Sequence, residues 1–124
     1  MSYIKIEIGP ERVVKEKEPP TSLRGLKFNQ LAIELISTHN DGKTNSGFMY
    51  AMFYGGLMGN SYVKREEPDY TFEDVCDWVD SLKDKEAVTA EVVKAMTETQ
   101  LWQDLIKVGE VEKKKVQKKQ PTTT

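Results

Sequence analysis

The chain opens on a two-residue rhythm. In Tyr3-Ile4-Lys5-Ile6-Glu7-Ile8 apolar and polar positions alternate, so Ile4, Ile6 and Ile8 share one face of a half-buried strand. Gly9-Pro10 supplies a turn, and Arg12-Val13-Val14 can return as a second strand. Such a ribbon is marginal alone and must lean on helices. Residues 15–25, polar and carrying Pro19-Pro20, form a loop by composition. The rhythm then becomes helical: Phe28, Leu31, Ala32, Leu35 and Ile36 form a stripe over 28–39, with Asn29 as N-cap and Asn40-Asp41-Gly42 as stop. After a polar loop at 40–47, Phe48–Met58 is apolar almost all round, as expected of a central helix buried on most sides. A loop over 60–69 leads to Thr71 as N-cap with Asp74 in the capping-box position and Tyr70 placed to staple onto Val75. Phe72, Val75, Cys76, Val79 and Leu82 make that helix's buried stripe. Asp84–Glu86 interrupts, and a last helix runs from about Thr89 to about Val108, its apolar residues spread more widely round the axis than a clean stripe. Gly109 stops it. Residues 109–124 have no periodicity and two apolar residues, the composition of a disordered tail.

This pattern predicts a mainly α, single-domain bundle of about four helices over 1–108, with a short N-terminal β-ribbon packed at one edge and a basic tail over 109–124. A length of 124 residues agrees with one domain. The net charge of −2 announces neither nucleic acid nor membrane, but its distribution is uneven. Residues 109–124 hold five Lys and two Glu, a charge of +3, which leaves −5 on residues 1–108. Cys76 is the single cysteine, so no disulfide forms within the chain and a reducing compartment fits. The alternating N-terminus is not a signal peptide, and Phe48–Met58 is too short and glycine-rich to span a bilayer. A soluble, cytoplasmic protein is expected.

Candidate chemistry is sparse. His39, the sole histidine, could pair with Asp41 as a general base, or simply favour the helix dipole at its C-terminal position. One His and one Cys cannot assemble an ordinary zinc site. Glu73 and the Asp residues around Cys76 disfavour its thiolate, so it reads as a small hydrophobe. Glu73, Asp77 and Asp80 share a helix face, which could take a hard cation, dock a basic partner or be solvated; the spacing of a calcium loop is missing. Gly55-Gly56-Leu57-Met58-Gly59 has no following Gly-Lys and is not a phosphate loop. Lysines 113–115, 118 and 119, without aromatics or arginines, offer nucleic acid only weak attraction. No catalytic residue, cofactor or metal is expected. Met49, Met52 and Phe53 are core residues or an adaptable binding surface. Trp78 and Trp102 are core, or part of an aromatic partner patch.

The order of segments carries a resemblance. The ribbon leads into Leu26-Lys27-Phe28-Asn29-Gln30-Leu31-Ala32, then into Phe48–Met58 with Tyr54-Gly55-Gly56-Leu57, then into Thr71-Phe72-Glu73-Asp74-Val75. Over about residues 3–108 this succession resembles the tail assembly chaperones of long-tailed bacteriophages and prophages. There an L-[KR]-F segment opens the first helix, a Y-x-G-L-like stretch ends the second and [TS]-x-E-[DE]-V begins the third. The resemblance implies a non-virion assembly factor that binds the tape measure protein, keeps its long hydrophobic helices in solution and recruits tail tube subunits. A longer form made by programmed frameshifting near the C-terminus also falls within what it implies, and self-association is a further partner expectation for the chain. The reading from another class is a small DNA-binding regulator, for which only the basic tail speaks.

Overall fold

The structure, a computed structural model, describes residues 3–13, 16–40 and 42–104. Its N-terminal alternation forms β1 (Tyr3–Arg12), with Ile6 and Ile8 buried and Lys5 and Glu7 exposed. The partner is not Arg12–Val14 but β2 (Thr21–Lys27), paired antiparallel from Tyr3↔Lys27 to Glu7↔Leu23 and again at Arg12↔Thr21. Gly9-Pro10 is therefore not the hairpin turn. It lies where the register shifts between Glu7 and Arg12, with Gly9 at φ +76°. Only glycine adopts that conformation cheaply, and a proline lacking an N–H is tolerated at such an irregularity. The expected loop over 15–25 hid β2 because Arg24, a charged residue, occupies an inward position next to Leu26 and pairs with Ile6.

Asn29 caps α1 (Gln30–His39) as expected, its Oδ1 accepting from Ala32 N at 3.0 Å. Its Nδ2 donates to Gly59 O at 3.1 Å, so the same side chain ties α1 to the next helix. That helix, α2 (Asn45–Lys64), exceeds the apolar stretch at both ends. Thr44 caps it through Gly47 N at 2.9 Å, and its last turn is kept by Asn60 and Ser61, polar yet buried. Arg65 closes it in the left-handed conformation at φ 56°.

Close approach explains the glycines of α2. A Cβ at Gly55 would stand 2.7 Å from Ala32 O and 2.8 Å from Ile36 Cγ1, and one at Gly59 would meet Lys27 O. These two positions, four residues apart, form the trough in which α1 lies. On other faces of α2, Met52 and Phe53 are wholly buried, each contributing roughly 1.5–3 kcal/mol by removal from water.

The α3 helix (Phe72–Asp80) starts with the full capping box, Thr71 Oγ1 accepting from Asp74 N and Asp74 Oδ2 accepting from Thr71 N. Val75 and Val79 of its stripe are fully buried. The last expected helix is divided. α4 (Lys85–Thr97) begins earlier than Thr89, and the chain breaks at Glu98-Thr99 before a helical turn over 100–104. Thr99 makes that break, its hydroxyl donating to Met96 O at 2.8 Å and accepting from Trp102 N at 3.1 Å. Two axes account for the wide spread of apolar positions seen in the sequence. The core joins Ile6, Ile8 and Leu26 of the ribbon to residues of all four helices, giving a mainly helical fold with a two-stranded N-terminal ribbon. The boundary at 108 and the tail over 109–124 lie outside the described residues. Among the described residues no helix is long and apolar enough to cross a membrane.

Candidate partner-binding surfaces

The five residues singled out in the sequence divide by burial. Met52 and Phe53, at the centre of α2, present nothing to a partner; their expected role in a binding surface is corrected to core. They face inward because α2 is covered by α1, β2 and α3 together. Met49 lies one turn nearer the helix start, where cover is thinner, and is only partly buried.

Trp102 is also partly buried, and the Thr99 break sets its place. With the turn over 100–104 capped separately, the indole swings onto the start of α2, its ring 6.4 Å from that of Phe48. Gln103 holds the turn down, donating through Nε2 to Thr97 O at 2.8 Å. Leu101 is left 40% exposed beside it. Phe48 and Trp102 thus bring half-covered aromatic rings from two elements together, with Met49 partly buried on the first and Leu101 exposed on the second.

Trp78 takes other partners. Its ring lies against Gly9, where a Cβ would be 2.8 Å from the indole, so a side chain there would displace it. On its other contacts it has Tyr70, centroid to centroid 5.6 Å, and the Arg24 guanidinium, 4.6 Å from its centroid. Arg24 is 2% exposed and fully engaged. Nε donates to Ile8 O at 2.9 Å, Nη2 to Pro10 O at 3.0 Å and Nη1 to Asp69 Oδ1 at 3.2 Å. One side chain therefore pins the irregular end of β1 and the loop before α3. Sequence reasoning missed it, since an arginine in an apparent loop carries no signal; only its place two residues before Leu26 hinted at an inward position. The two tryptophans accordingly serve two regions, and neither is wholly buried.

Between β1 and the turn joining α3 to α4 runs a groove of about 680 Å³. Lys5, Ile6, Glu7, Ile8 and Gly9 of β1 form one wall together with Ser22 and Leu23 of β2, with Trp78, Leu82 and Val88 opposite.

The remaining candidates have ordinary surroundings. The His39 ring stacks on Phe72 at 4.5 Å and meets Tyr54 edge-on at 5.0 Å, while Asp41, its expected partner, lies outside the described residues. Burial pushes the Cys76 thiol up, and Asp80, Asp77 and Glu73 push it further. Asp80 itself accepts from the Tyr50 hydroxyl at 2.7 Å, which raises that phenol, and lies 3.6 Å from Lys85 Nζ. Among the described residues no three acidic, His or Cys side chains converge so as to hold a metal ion. Compared with protein-family models, curated proteins and solved structures, the chain matches none.

Proposed function

We propose that this chain is a tail assembly chaperone of a long-tailed phage or prophage, a non-enzymatic protein of the bacterial cytoplasm. It binds the tape measure protein and recruits tail tube subunits. The order of segments supports this reading, from Leu26-Lys27-Phe28 through Tyr54-Gly55-Gly56-Leu57 to the capped Thr71 helix. The observation that carries it is the partly open Phe48–Trp102 aromatic contact, built from two separately capped helical pieces that also carry the partly buried Met49 and the exposed Leu101. A chaperone of long apolar helices needs a surface that covers them reversibly, and unbranched Met beside aromatic rings adapts to varied partners. The acidic body leaves the DNA-binding reading without support beyond the tail.

The test is co-expression of the full chain with a tape measure protein of long apolar helices. Wild-type chain keeps that protein in the soluble fraction and co-purifies with it. Trp102→Ala and Leu101→Ala lower recovery several-fold while far-UV circular dichroism stays that of the wild type. Failure of the wild type to co-purify sinks the proposal. An overlapping frame downstream tests the longer, frameshifted form separately.

A further inference from the structure

We propose that this fold binds one structural water molecule, held between the irregular end of β1, the last turn of α2 and the loop that leads into α3. This inference goes beyond the proposed function and is independent of the Trp102 surface.

The three segments meet around a small polar cavity. Its wall includes Arg12 from β1, Arg24 and Gly25 from β2, Asn60 and Ser61 from α2, and Tyr70 just ahead of α3. Arg12 reaches from solvent to the interior. Its side chain is 29% exposed, with Nη1 3.8 Å from Glu66 Oε2, yet its Nε is buried and has no hydrogen-bond partner among the described residues. A charged donor buried without an acceptor is among the costlier defects a fold can carry, so an acceptor is expected at that N–H. The same wall carries oxygens able to take part in a second bond. Ser61 Oγ and Tyr70 OH lie 3.1 Å apart, one donating to the other, and the buried Asn60 side chain brings a carbonyl and an amide.

Size and charge select the occupant. The space open to a water molecule is about 10 Å³, room for one water and too little for phosphate or an organic ligand. No ion is called for, because each guanidinium already stands by a carboxylate, Arg12 by Glu66 and Arg24 by Asp69 at 3.2 Å. An apolar occupant fails as well, since it would leave Nε unmade. Water accepts from Arg12 Nε and donates to the oxygens of Asn60 and of the Ser61–Tyr70 pair. One molecule thereby ties β1, α2 and the loop before α3 together, at little loss against direct hydrogen bonds.

Diffraction to atomic resolution from crystals of the full chain tests the site directly. A single water is expected within hydrogen-bond distance of Arg12 Nε and of at least one oxygen of Asn60, Ser61 or Tyr70. Arg12 Nε bonded to Glu66 or Glu67 instead, or a cavity without ordered density, overturns the proposal. A urea titration supplies a test that needs no crystal, because its sign separates the two cases. Arg12→Met keeps most of the stem and removes the donor. If Nε donates to a bound water, the variant loses that bond and unfolds at a lower urea concentration than the wild type. If Nε is unmade, its removal relieves a defect; an unchanged or raised midpoint therefore overturns the proposal. Glu66→Gln is the control for the ion pair at the exposed end, and its midpoint is expected to stay close to that of the wild type. A fall matching that of Arg12→Met would assign the loss to the ion pair and overturn the proposal too.

Discussion

Around Arg24 a guanidinium donates to Ile8 O, Pro10 O and Asp69 Oδ1 while resting 4.6 Å from the Trp78 ring. Asp69 is 54% exposed and can be hydrated if the arginine is lost. The Ile8 carbonyl, in a buried hydrogen bond, has no such recourse, and a buried acceptor left unmade costs about 1–3 kcal/mol. Arg24→Ala is therefore expected to lower unfolding free energy by about 3 kcal/mol in a urea titration, with the emission of Trp78 shifting to the red. Arg24→Lys recovers little, because an ammonium cannot span three acceptors arranged for a planar fork. A loss below about 1 kcal/mol for Arg24→Ala would contradict this role. At Cys76 the sign is set by burial and three carboxylates, all of which raise the thiol above its ordinary value. Less thiolate at pH 8 means iodoacetamide reacts several-fold more slowly than with free cysteine. Asp80→Asn recovers part of the rate, since burial, the larger cause, remains. The Cys76 environment was legible from Glu73, Asp77 and Asp80 in the sequence, all local neighbours on one helix. Arg24 was not, because its acceptors come from positions up to 45 residues away.

At the scale of elements, α2 and the α4 break have consequences of their own. Gly55→Ala improves intrinsic helix propensity by about 1 kcal/mol, yet its Cβ would press on the Ala32 carbonyl, backbone that cannot swing aside. Net destabilisation of about 1–3 kcal/mol is expected in thermal or urea unfolding; a stabilised variant would show that α1 and α2 are not held at this separation. Thr99→Ala removes the hydroxyl that both receives Trp102 N and donates to Met96 O. Loss of a cap costs about 1 kcal/mol at most sites, and the sharper readout is fluorescence: Trp102 leaves Phe48 and its emission moves to the red. An unchanged spectrum would mean that the cap does not position the indole. Elements with their own signals were readable. Thr71 with Asp74 marked α3, and Asn29 marked α1, since capping depends on residues three apart. β2 escaped because strand pairing is non-local and its inward arginine broke the apolar alternation. α2 outran Phe48–Met58 because Thr44 caps it outside the apolar run, and because Asn60 and Ser61 are buried polar residues that a hydrophobic pattern cannot place.

For the whole molecule, the fold class followed from periodicity, but the partner surface did not. Periodicity finds what is buried; it does not say which buried stripe is left partly open. Met52 and Phe53 thus passed from candidate surface to core, while Met49 and Trp102 stay partly buried and the Trp102 ring gains Phe48 as a neighbour. The most direct measurement is hydrogen exchange on the full chain, alone and with the long helical protein it is proposed to chaperone. Amides of Asn45–Ala51 and of residues 99–104 are expected to slow on binding, with Val75–Val79 unchanged. No slowing anywhere, or slowing that spares the start of α2 and the Trp102 turn, would contradict the account.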